Sequence, residues 1–289
     1  MAEEFDADWL DLREPFDARA RNGALATALA AALPPRPRIM DLGAGTGSLL
    51  RWLGHWIGRA QAWTLVDADA ELIRRAYDTI EERAEAVGWY TTWPGKRTML
   101  VHAPGGAWRV EGMMADLRDA PDTLPMDRVD AVVNTALCDL VSEDWIRRMA
   151  RARAAHRLPF YAALNVTGRE RFAPPHRADA LEARGFRRDQ ARDKGFGGMA
   201  LGPRAPAVIR AAFEAEGYTV QAAPSDWIVT RQDSTMANAL AEGHAAAALA
   251  WDRRDAARSQ ARAAARRSQA LAGRLAARVG HADMLALPG

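Results

Sequence analysis

Three closely spaced glycines, with an aspartate about twenty residues beyond them, are the part of this 289-residue chain best suited to chemistry. Gly43, Gly45 and Gly47 follow an apolar segment over 38–42, and Asp67 ends a second apolar segment. Glycine lets a backbone adopt positive φ and approach a ligand where a Cβ would clash. A carboxylate at the end of the next strand can accept hydrogen bonds from two vicinal ribose hydroxyls. The pattern therefore predicts a nucleotide-type cofactor site in a βαβ unit.

The spacing of the glycines separates two classes of cofactor. The dinucleotide fingerprint G-x-G-x-x-G would require glycine at the position that Ser48 occupies. In this chain the third glycine comes one residue earlier, and an acid, Asp41, precedes the first. A nicotinamide-dependent dehydrogenase is therefore disfavoured.

The run Asp41-x-Gly43-x-Gly45-x-Gly47 resembles motif I of the class I S-adenosylmethionine-dependent methyltransferases. The order of strand-like and helix-like segments is similar to that family over residues 36–231. The resemblance implies S-adenosylmethionine as the cofactor. It also implies a doubly wound, Rossmann-like, seven-stranded α/β sheet whose last strand is antiparallel.

The resemblance also assigns cofactor contacts outside the glycine run. In the family, an acid or amide after the third strand meets the adenine amino group, and Asp116 stands at that place. The residue that ends the fourth strand often touches the methionine part of the cofactor, and Asn134 stands there. The cofactor-binding residues that the resemblance implies are Asp41, Gly43, Ala44, Gly45, Gly47, Asp67, Ala68, Asp116, Leu117 and Asn134.

Alternating strand and helix patterns predict a parallel sheet preceded by helices and followed by a helical tail. Residues 218–222 and 226–230 are predicted to form an antiparallel pair, because only a short link separates them. The tail ends in an apolar Met-Leu-Ala-Leu segment, which we expect to dock on the domain. The predicted parts are an N-terminal helical segment (1–35), a cofactor-binding domain (36–231, with an insertion at about 168–202) and a helical C-terminal extension (232–289).

The sequence contains no obvious catalytic dyad and no metal-ligand spacing. Two candidates for a general base are Asp139, just after the fourth strand, and His281, in the tail. A structural role is the alternative for both, since an aspartate there can cap the next helix and a lone histidine is commonly part of a core. No metal is predicted.

Three charged residues lie at four-residue spacing near the N-terminus. Arg13, Asp17 and Arg21 would share one face of a helix. One interpretation is a solvated set of ion pairs. The other is a helix that closes over the cofactor, with an arginine meeting the cofactor's carboxylate.

Composition limits the environment and the partners. The net charge is +2, and the single cysteine, Cys138, allows neither an internal disulfide nor a cysteine metal cluster. The acidic N-terminus does not resemble a signal peptide and no segment is apolar enough to span a membrane, so a cytoplasmic location is expected. The cluster of arginines over 253–278 is interpreted as a solvated helix face, with a phosphate-contacting surface as the alternative.

The class of methyl acceptor is predicted mainly from the absence of a particular sequence motif after the fourth strand. Amino-methylating nucleic-acid enzymes carry an Asn/Asp-Pro-Pro-aromatic segment there, and this chain has Asn134-Thr135-Ala136-Leu137. A small-molecule acceptor is therefore preferred. An RNA or protein methyltransferase and a non-methylating S-adenosylmethionine-binding protein stay open as alternatives, and the sequence does not indicate an oligomeric state.

Overall fold

A β-sheet with helices on both faces forms the centre of the molecule. The computed structural model describes residues 6–251 and 256–289. The strands are β1 Arg38–Leu42, β2 Gln61–Asp67, β3 Tyr90–Gly95, β4 Thr98–Ala103, β5 Gly106–Met114, β6 Ala131–Thr135, β7 Phe160–Ala173, β8 Tyr218–Pro224, β9 Trp227–Val229 and β10 Ala276–Pro288. The helices are α1 Ala7–Ala20, α2 Gly23–Ala32, α3 Ser48–Ile57, α4 Ala70–Ala86, α5 Glu143–His156, α6 Asp179–Gln190, α7 Ala205–Ala215, α8 Ser234–Trp251 and α9 Ala256–Leu271.

The strand order is β3-β4-β5-β2-β1-β6-β7-β10-β8, with β9 paired to β10 at one side. The five central strands, from β5 to β7, are parallel. The chain leaves β1 toward β2 and then returns to place β6 on the other side of β1, so the strand order reverses between β1 and β6. Ligands of open parallel sheets bind at the carboxyl ends of the strands at such a reversal. The predicted doubly wound α/β fold is confirmed.

The side chains of β1 show that both faces of the sheet are buried. Ile39 packs into an apolar cluster with residues of α2, α3 and α4, whereas Met40 and Leu42 pack on the opposite face with residues of α5 and α7. Successive strand residues point to opposite faces, and a sheet covered on both faces needs apolar residues on both. These two layers fix the carboxyl ends of β1 and β2 in the molecule.

The antiparallel last strand comes from a different segment than predicted. Strands β8 and β9 do not pair with each other; both are antiparallel to β10, which lies between β7 and β8. The prediction of a 218–222/226–230 pair is therefore wrong. The C-terminal extension is helical only through α8 and α9, and its apolar end enters the sheet because a strand with two buried faces suits that sequence.

The sheet is also larger than the predicted seven strands. Within the described residues it has ten, because the β3–β4 pair extends one edge and β9 adds a short partner to β10. Strand β7 continues to Ala173, so the first part of the predicted 168–202 insertion is strand and only the rest forms α6 and the loop after it.

The arginines of the tail are not a solvated face throughout. Arg262 and Arg266 are almost fully buried, and both are ion-paired to Asp179 of α6. Arg262 also pairs with Glu182. Arg253 and Arg254 lie outside the described residues. Buried charges need partners, and these arginines have them in the α6 helix. Across the described chain, every helix is too short or too polar to cross a membrane.

Candidate functional site

The glycine loop after β1 is a left-handed turn held against the end of β2. Gly43, Gly45 and Gly47 have φ of 64°, 52° and 78°. The N–H groups of Gly43 and Ala44 donate to the carbonyl of Val66 at 2.9 and 3.1 Å. Because positive φ strains residues with a Cβ, glycine suits these places. The loop leads directly into α3 and leaves its backbone open to a ligand.

Asp67 closes the loop from the end of β2. Its Oδ2 accepts the Gly45 N–H at 2.9 Å, and its Oδ1 accepts the Asp69 N–H at 3.1 Å. Burial raises the pKa of Asp67 above its ordinary value, and these N–H donors oppose that rise. Two backbone donors therefore fix the orientation of the carboxylate, while its remaining lone pairs can accept from a ligand.

A cavity of about 530 Å³ opens at the carboxyl ends of β1, β2 and β6, within the range of small-molecule sites. Most of the predicted cofactor-binding residues line it. Those that do are Gly43, Ala44, Gly45, Asp67, Ala68, Asp116 and Leu117. Asp116 also caps the short 3₁₀ turn that follows it, accepting from Arg118 N at 2.9 Å. Contact between these residues and a cofactor stays a prediction, but the structure brings them together.

Helix α1 covers the cavity from one side. Leu10, Arg13 and Asp17 line it, and a Cβ built on Gly45 would lie 3.1 Å from Leu10 Cδ1. Arg21, at the end of the helix, donates to Ser48 Oγ at 2.9 Å and to Thr135 Oγ1 at 3.2 Å. The second interpretation of the N-terminal charges, a helix closing over the site, therefore fits the structure.

The loop after α6 covers the opposite side. Lys194 and Phe196 line the cavity together with Leu137 and Leu140. The loop is attached to the residues next to Asp116 because Arg118 Nε donates to the carbonyl of Gly195 at 2.6 Å. The late part of the predicted insertion thus lies over the site.

Three predicted cofactor residues lie beneath the cavity instead of in its lining. Gly47 packs against α4, where a Cβ would lie 3.3 Å from Ala76 Cβ. Asn134 is fully buried and accepts a hydrogen bond from Cys138 Sγ at 3.3 Å. Asp41 is fully buried too, and burial raises its pKa to about 8. These three residues therefore lie outside the lining of the cavity.

Neither candidate for a general base lines the cavity. Asp139 is buried in the turn before α5, and its backbone carbonyl accepts from Gly202 N at 2.8 Å. Ser142, not Asp139, caps α5, accepting from Trp145 N at 3.2 Å. His281 lies on β10 with its ring 4.8 Å from that of Trp227. Burial, reinforced by the nearby charge of Arg13, lowers the pKa of His281 to about 3. A catalytic role for Asp139 or His281 gains no support from their positions.

Sequence reasoning did not place the apolar walls of the site. Leu10, Leu137, Leu140 and Phe196 come from three separate segments of the chain. The sequence predicted the N-terminal helical segment and the 168–202 insertion that carry Leu10 and Phe196, but not the place of either segment beside the cavity. Side chains brought together from distant segments leave no spacing pattern in the sequence.

The residues of the cavity fit S-adenosylmethionine. A Cβ on residue 45 would narrow the gap between the glycine loop and Leu10. Glycine at this position leaves that gap open for a ligand that approaches the backbone closely. Asp67 and Asp116 line the same cavity, and their carboxylates are hydrogen-bond acceptors of the kind that ribose hydroxyls and an amino group of adenine require, while Leu117 adds an apolar side chain. A grouping of histidine, cysteine and acidic residues able to hold a metal is absent from the part of the chain described.

Comparison with known proteins gives one local match and several distant structural ones. No family model matches the chain. A stretch of 54 residues is 48% identical to the biotin biosynthesis bifunctional protein BioCD of Bordetella avium, covering 18% of this chain and 11% of that protein. The match thus spans about a tenth of the length of the relative.

Two solved structures illustrate the structural matches. A S-adenosylmethionine-dependent methyltransferase from Geobacter sulfurreducens, in complex with S-adenosyl-L-homocysteine, is 16% identical, with a TM-score of 0.43 and coverage of 94% of this chain and 93% of that one. The cyclopropane synthase MmaA2 from Mycobacterium tuberculosis is 11% identical, with a TM-score of 0.45 and coverage of 91% and 83%. Likenesses this distant carry no weight for the activity, which has to follow from the site itself.

The parallel sheet, the glycine turn after β1 and the carboxylate at the end of β2 together form a candidate nucleotide-type cofactor site at the carboxyl edge of an open α/β sheet.

Proposed function

We propose that this protein transfers a methyl group from S-adenosylmethionine to a small-molecule acceptor. The observation that carries the proposal is the pairing of Gly45 and Asp67 at the mouth of the cavity. A glycine N–H holds a carboxylate at 2.9 Å where two parallel strands end, and that carboxylate faces a cavity of small-molecule size.

The residues of the chain contribute by binding the cofactor and by positioning the acceptor. Asp67 accepts from the ribose hydroxyls, Asp116 meets the adenine edge, and the loop through Gly45 allows close approach. The bound cofactor supplies an electrophilic sulfonium methyl group, so the acceptor has only to be held in line with it. Helix α1 and the loop carrying Phe196 cover the cavity from two sides and exclude water.

The walls of the cavity support a small organic acceptor. Leu10, Leu137, Leu140 and Phe196 give the space beyond the nucleoside-binding residues an apolar lining. A macromolecular polyanion is less well supported, because Arg262 and Arg266 of the tail are buried in ion pairs and the exposed Arg267 and Arg278 are paired with Glu242 and Asp226. Binding of nucleic acid through phosphates requires accessible cations.

A methyl-transfer assay separates the proposal from its alternatives. The purified protein is incubated with S-adenosylmethionine labelled in the methyl group and with a cell extract divided into small-molecule and macromolecular fractions. Label recovered in a small molecule, with S-adenosylhomocysteine as the second product, is the expected result. Label confined to RNA or protein would show that the acceptor is a macromolecule and would contradict a small-molecule acceptor. Cofactor binding without any transfer would indicate a non-methylating binder.

Replacing Asp67 by alanine should weaken binding of S-adenosylhomocysteine by roughly 1–3 kcal/mol, the scale of a charge-assisted hydrogen bond. The substitution removes the acceptor for the ribose hydroxyls and frees the Gly45 N–H that now binds Asp67. Calorimetric titration of the wild type and Asp67→Ala measures the loss.

The matched control for that titration is Glu71→Ala. Glu71 is an exposed acid four residues further on, paired with Arg74 and outside the cavity. Its removal should leave the dissociation constant unchanged. An equal affinity in Asp67→Ala and the wild type would remove Asp67 from the proposed ribose site.

A further inference from the structure

A second cavity, of about 340 Å³, is lined by residues of α1, α3, α4, β4 and β5. Among the described residues, Ser48 is the one that lines both this cavity and the candidate cofactor site. The volume of the second cavity is within the range of small-molecule sites. The proposed methyl transfer makes no use of this space, so its occupant has to be inferred from its own walls.

Three aromatic rings in mutual contact form one wall of the second cavity. The ring centre of His55 lies 5.2 Å from that of Trp89 and 5.5 Å from that of Trp108. The two tryptophan rings are 5.3 Å apart, and the ring of Trp52 lines the cavity as well. Burial lowers the pKa of His55, so its ring is neutral at pH 7. Apolar ring faces of this kind favour a flat aromatic ligand.

Trp108 also holds a hydrogen-bond donor that the fold leaves without an acceptor. This residue is 4% exposed, and its indole Nε1 is buried with no hydrogen-bond partner in the described part of the chain. The six-membered ring packs against Gly54, where a Cβ would lie 2.8 Å from Cη2 of Trp108, so the indole cannot turn freely. An indole N–H can only donate, and a buried donor without an acceptor costs free energy. A ligand that carries an oxygen would satisfy this donor.

The charges of the lining favour an anionic ligand. Arg51 is paired with Glu14 at 2.5 Å, so these two charges compensate each other. Arg83 of α4 is exposed at the edge of the cavity, and within the described residues its guanidinium has no hydrogen bond or ion pair. With His55 neutral, the lining therefore carries one net positive charge. A planar guanidinium binds a carboxylate through two parallel N–H donors.

We propose that the second cavity is a separate small-molecule site that binds a flat aromatic carboxylate. The ring of the ligand packs on the aromatic wall, its carboxylate meets Arg83, and a ligand oxygen accepts from Trp108 Nε1. This inference does not depend on the proposed function, because none of these residues lines the candidate cofactor site. Helix α1 contributes Glu14 to this cavity and Leu10 to the first, so a ligand in the second cavity contacts the helix that covers the first.

Two probes of similar shape test the inference: 2-naphthoate, which is charged, and 2-naphthamide, which is not. Calorimetric titrations of both probes are made with the wild type, Arg83→Gln and Trp89→Leu, and melting curves show that the variants are folded. Arg83→Gln should weaken 2-naphthoate binding about 5-fold, the scale of an exposed ion pair, and leave 2-naphthamide binding unchanged. Trp89→Leu should weaken binding of both probes by roughly 3- to 10-fold, because both need the aromatic wall.

Arg74→Gln is the matched control, because Arg74 is an exposed arginine of the same helix that lies outside the cavity. This variant should bind both probes as the wild type does. The titrations are repeated with an excess of S-adenosylhomocysteine, which separates the second cavity from the first. Binding of 2-naphthoate should persist under that condition.

Three results would overturn the inference. They are failure of the wild type to bind 2-naphthoate at millimolar concentration, an equal response of the two probes to Arg83→Gln, and displacement of 2-naphthoate by S-adenosylhomocysteine. A protein that shows the expected response of the probes but does not bind S-adenosylhomocysteine would refute the proposed function and leave the second site standing.

Discussion

Replacing Gly45 by valine should abolish binding of S-adenosylhomocysteine, with a loss of at least about 100-fold in affinity. Gly45 has φ of 52°, and a Cβ at this position would lie 3.1 Å from Leu10 Cδ1, in the space between the loop and α1. Valine adds two methyl groups beyond that Cβ. The substitution therefore fills the gap between the loop and α1, and it strains the backbone whose N–H donates to Asp67. Calorimetric titration measures the loss, and a melting curve shows that the variant is folded.

Strain alone is controlled by making the same change at another left-handed glycine. Gly88, with φ of 76°, follows α4, and a Cβ there has no neighbour within 4 Å. Gly88→Val should lower the free energy of unfolding by a similar amount, through the same backbone strain. It should keep the ligand affinity of the wild type. A folded Gly45→Val protein that binds as tightly as the wild type would show that the ligand does not lie over this loop.

Because of Asp41, the free energy of unfolding should fall as pH rises from about 4 to about 8. Burial raises the pKa of this carboxyl to about 8, with the Asp67 charge adding to the rise and Arg21 opposing it. The folded state therefore holds a proton that the unfolded state releases near pH 4. Because the folded state binds more protons across this window, the free energy of unfolding falls by up to about 1.4 kcal/mol per pH unit.

Asp41→Asn removes this titration and keeps the shape of the side chain. The free energy of unfolding of the variant, minus that of the wild type, should grow by roughly 4 kcal/mol between pH 4 and pH 7. Urea unfolding of both proteins at several pH values gives this difference, in which other titrating groups cancel. A difference that does not change with pH would contradict a neutral, buried Asp41.

The local part of the site could be predicted because its signals lie close together in the sequence. The glycine turn, the preceding strand and the strand ending at Asp67 occupy 38–67, and their order is set by neighbouring residues. The N-cap of α4 is a similar case: Asp69 directly precedes the helix and accepts from Glu71 N and Leu72 N. Short-range hydrogen bonds of this kind depend on residue type and spacing alone.

The distant contacts could not be predicted in the same way. The pairing of β10 with β7 joins residues more than a hundred positions apart, and so does the hydrogen bond that the Tyr161 hydroxyl donates to Asp283. The sequence showed that the C-terminal end is apolar, but not that it enters the sheet between β7 and β8. Likewise the arginine at 262 is paired with Asp179, 83 positions earlier, and no local pattern records that partner.

The covering elements of the site are of this second kind. Helix α1 carries the spacing of Arg13, Asp17 and Arg21, which the sequence displays, but its place over the cavity depends on ties to α3, α4 and Trp227. His281 illustrates the opposite error. The sequence placed it in a helical extension outside the sheet, whereas strand β10 buries it beside Trp227.

Calorimetric titration of the purified protein with S-adenosylmethionine, S-adenosylhomocysteine and NAD, each separately, tests the central claim most directly. Micromolar binding of the first two and none of NAD is the predicted result, because Ser48 stands where a dinucleotide loop needs glycine and because Asp67 and Asp116 line one cavity of nucleoside size. Binding of NAD, with no response to the two sulfur compounds, would contradict the cofactor assignment and the proposed methyl transfer together.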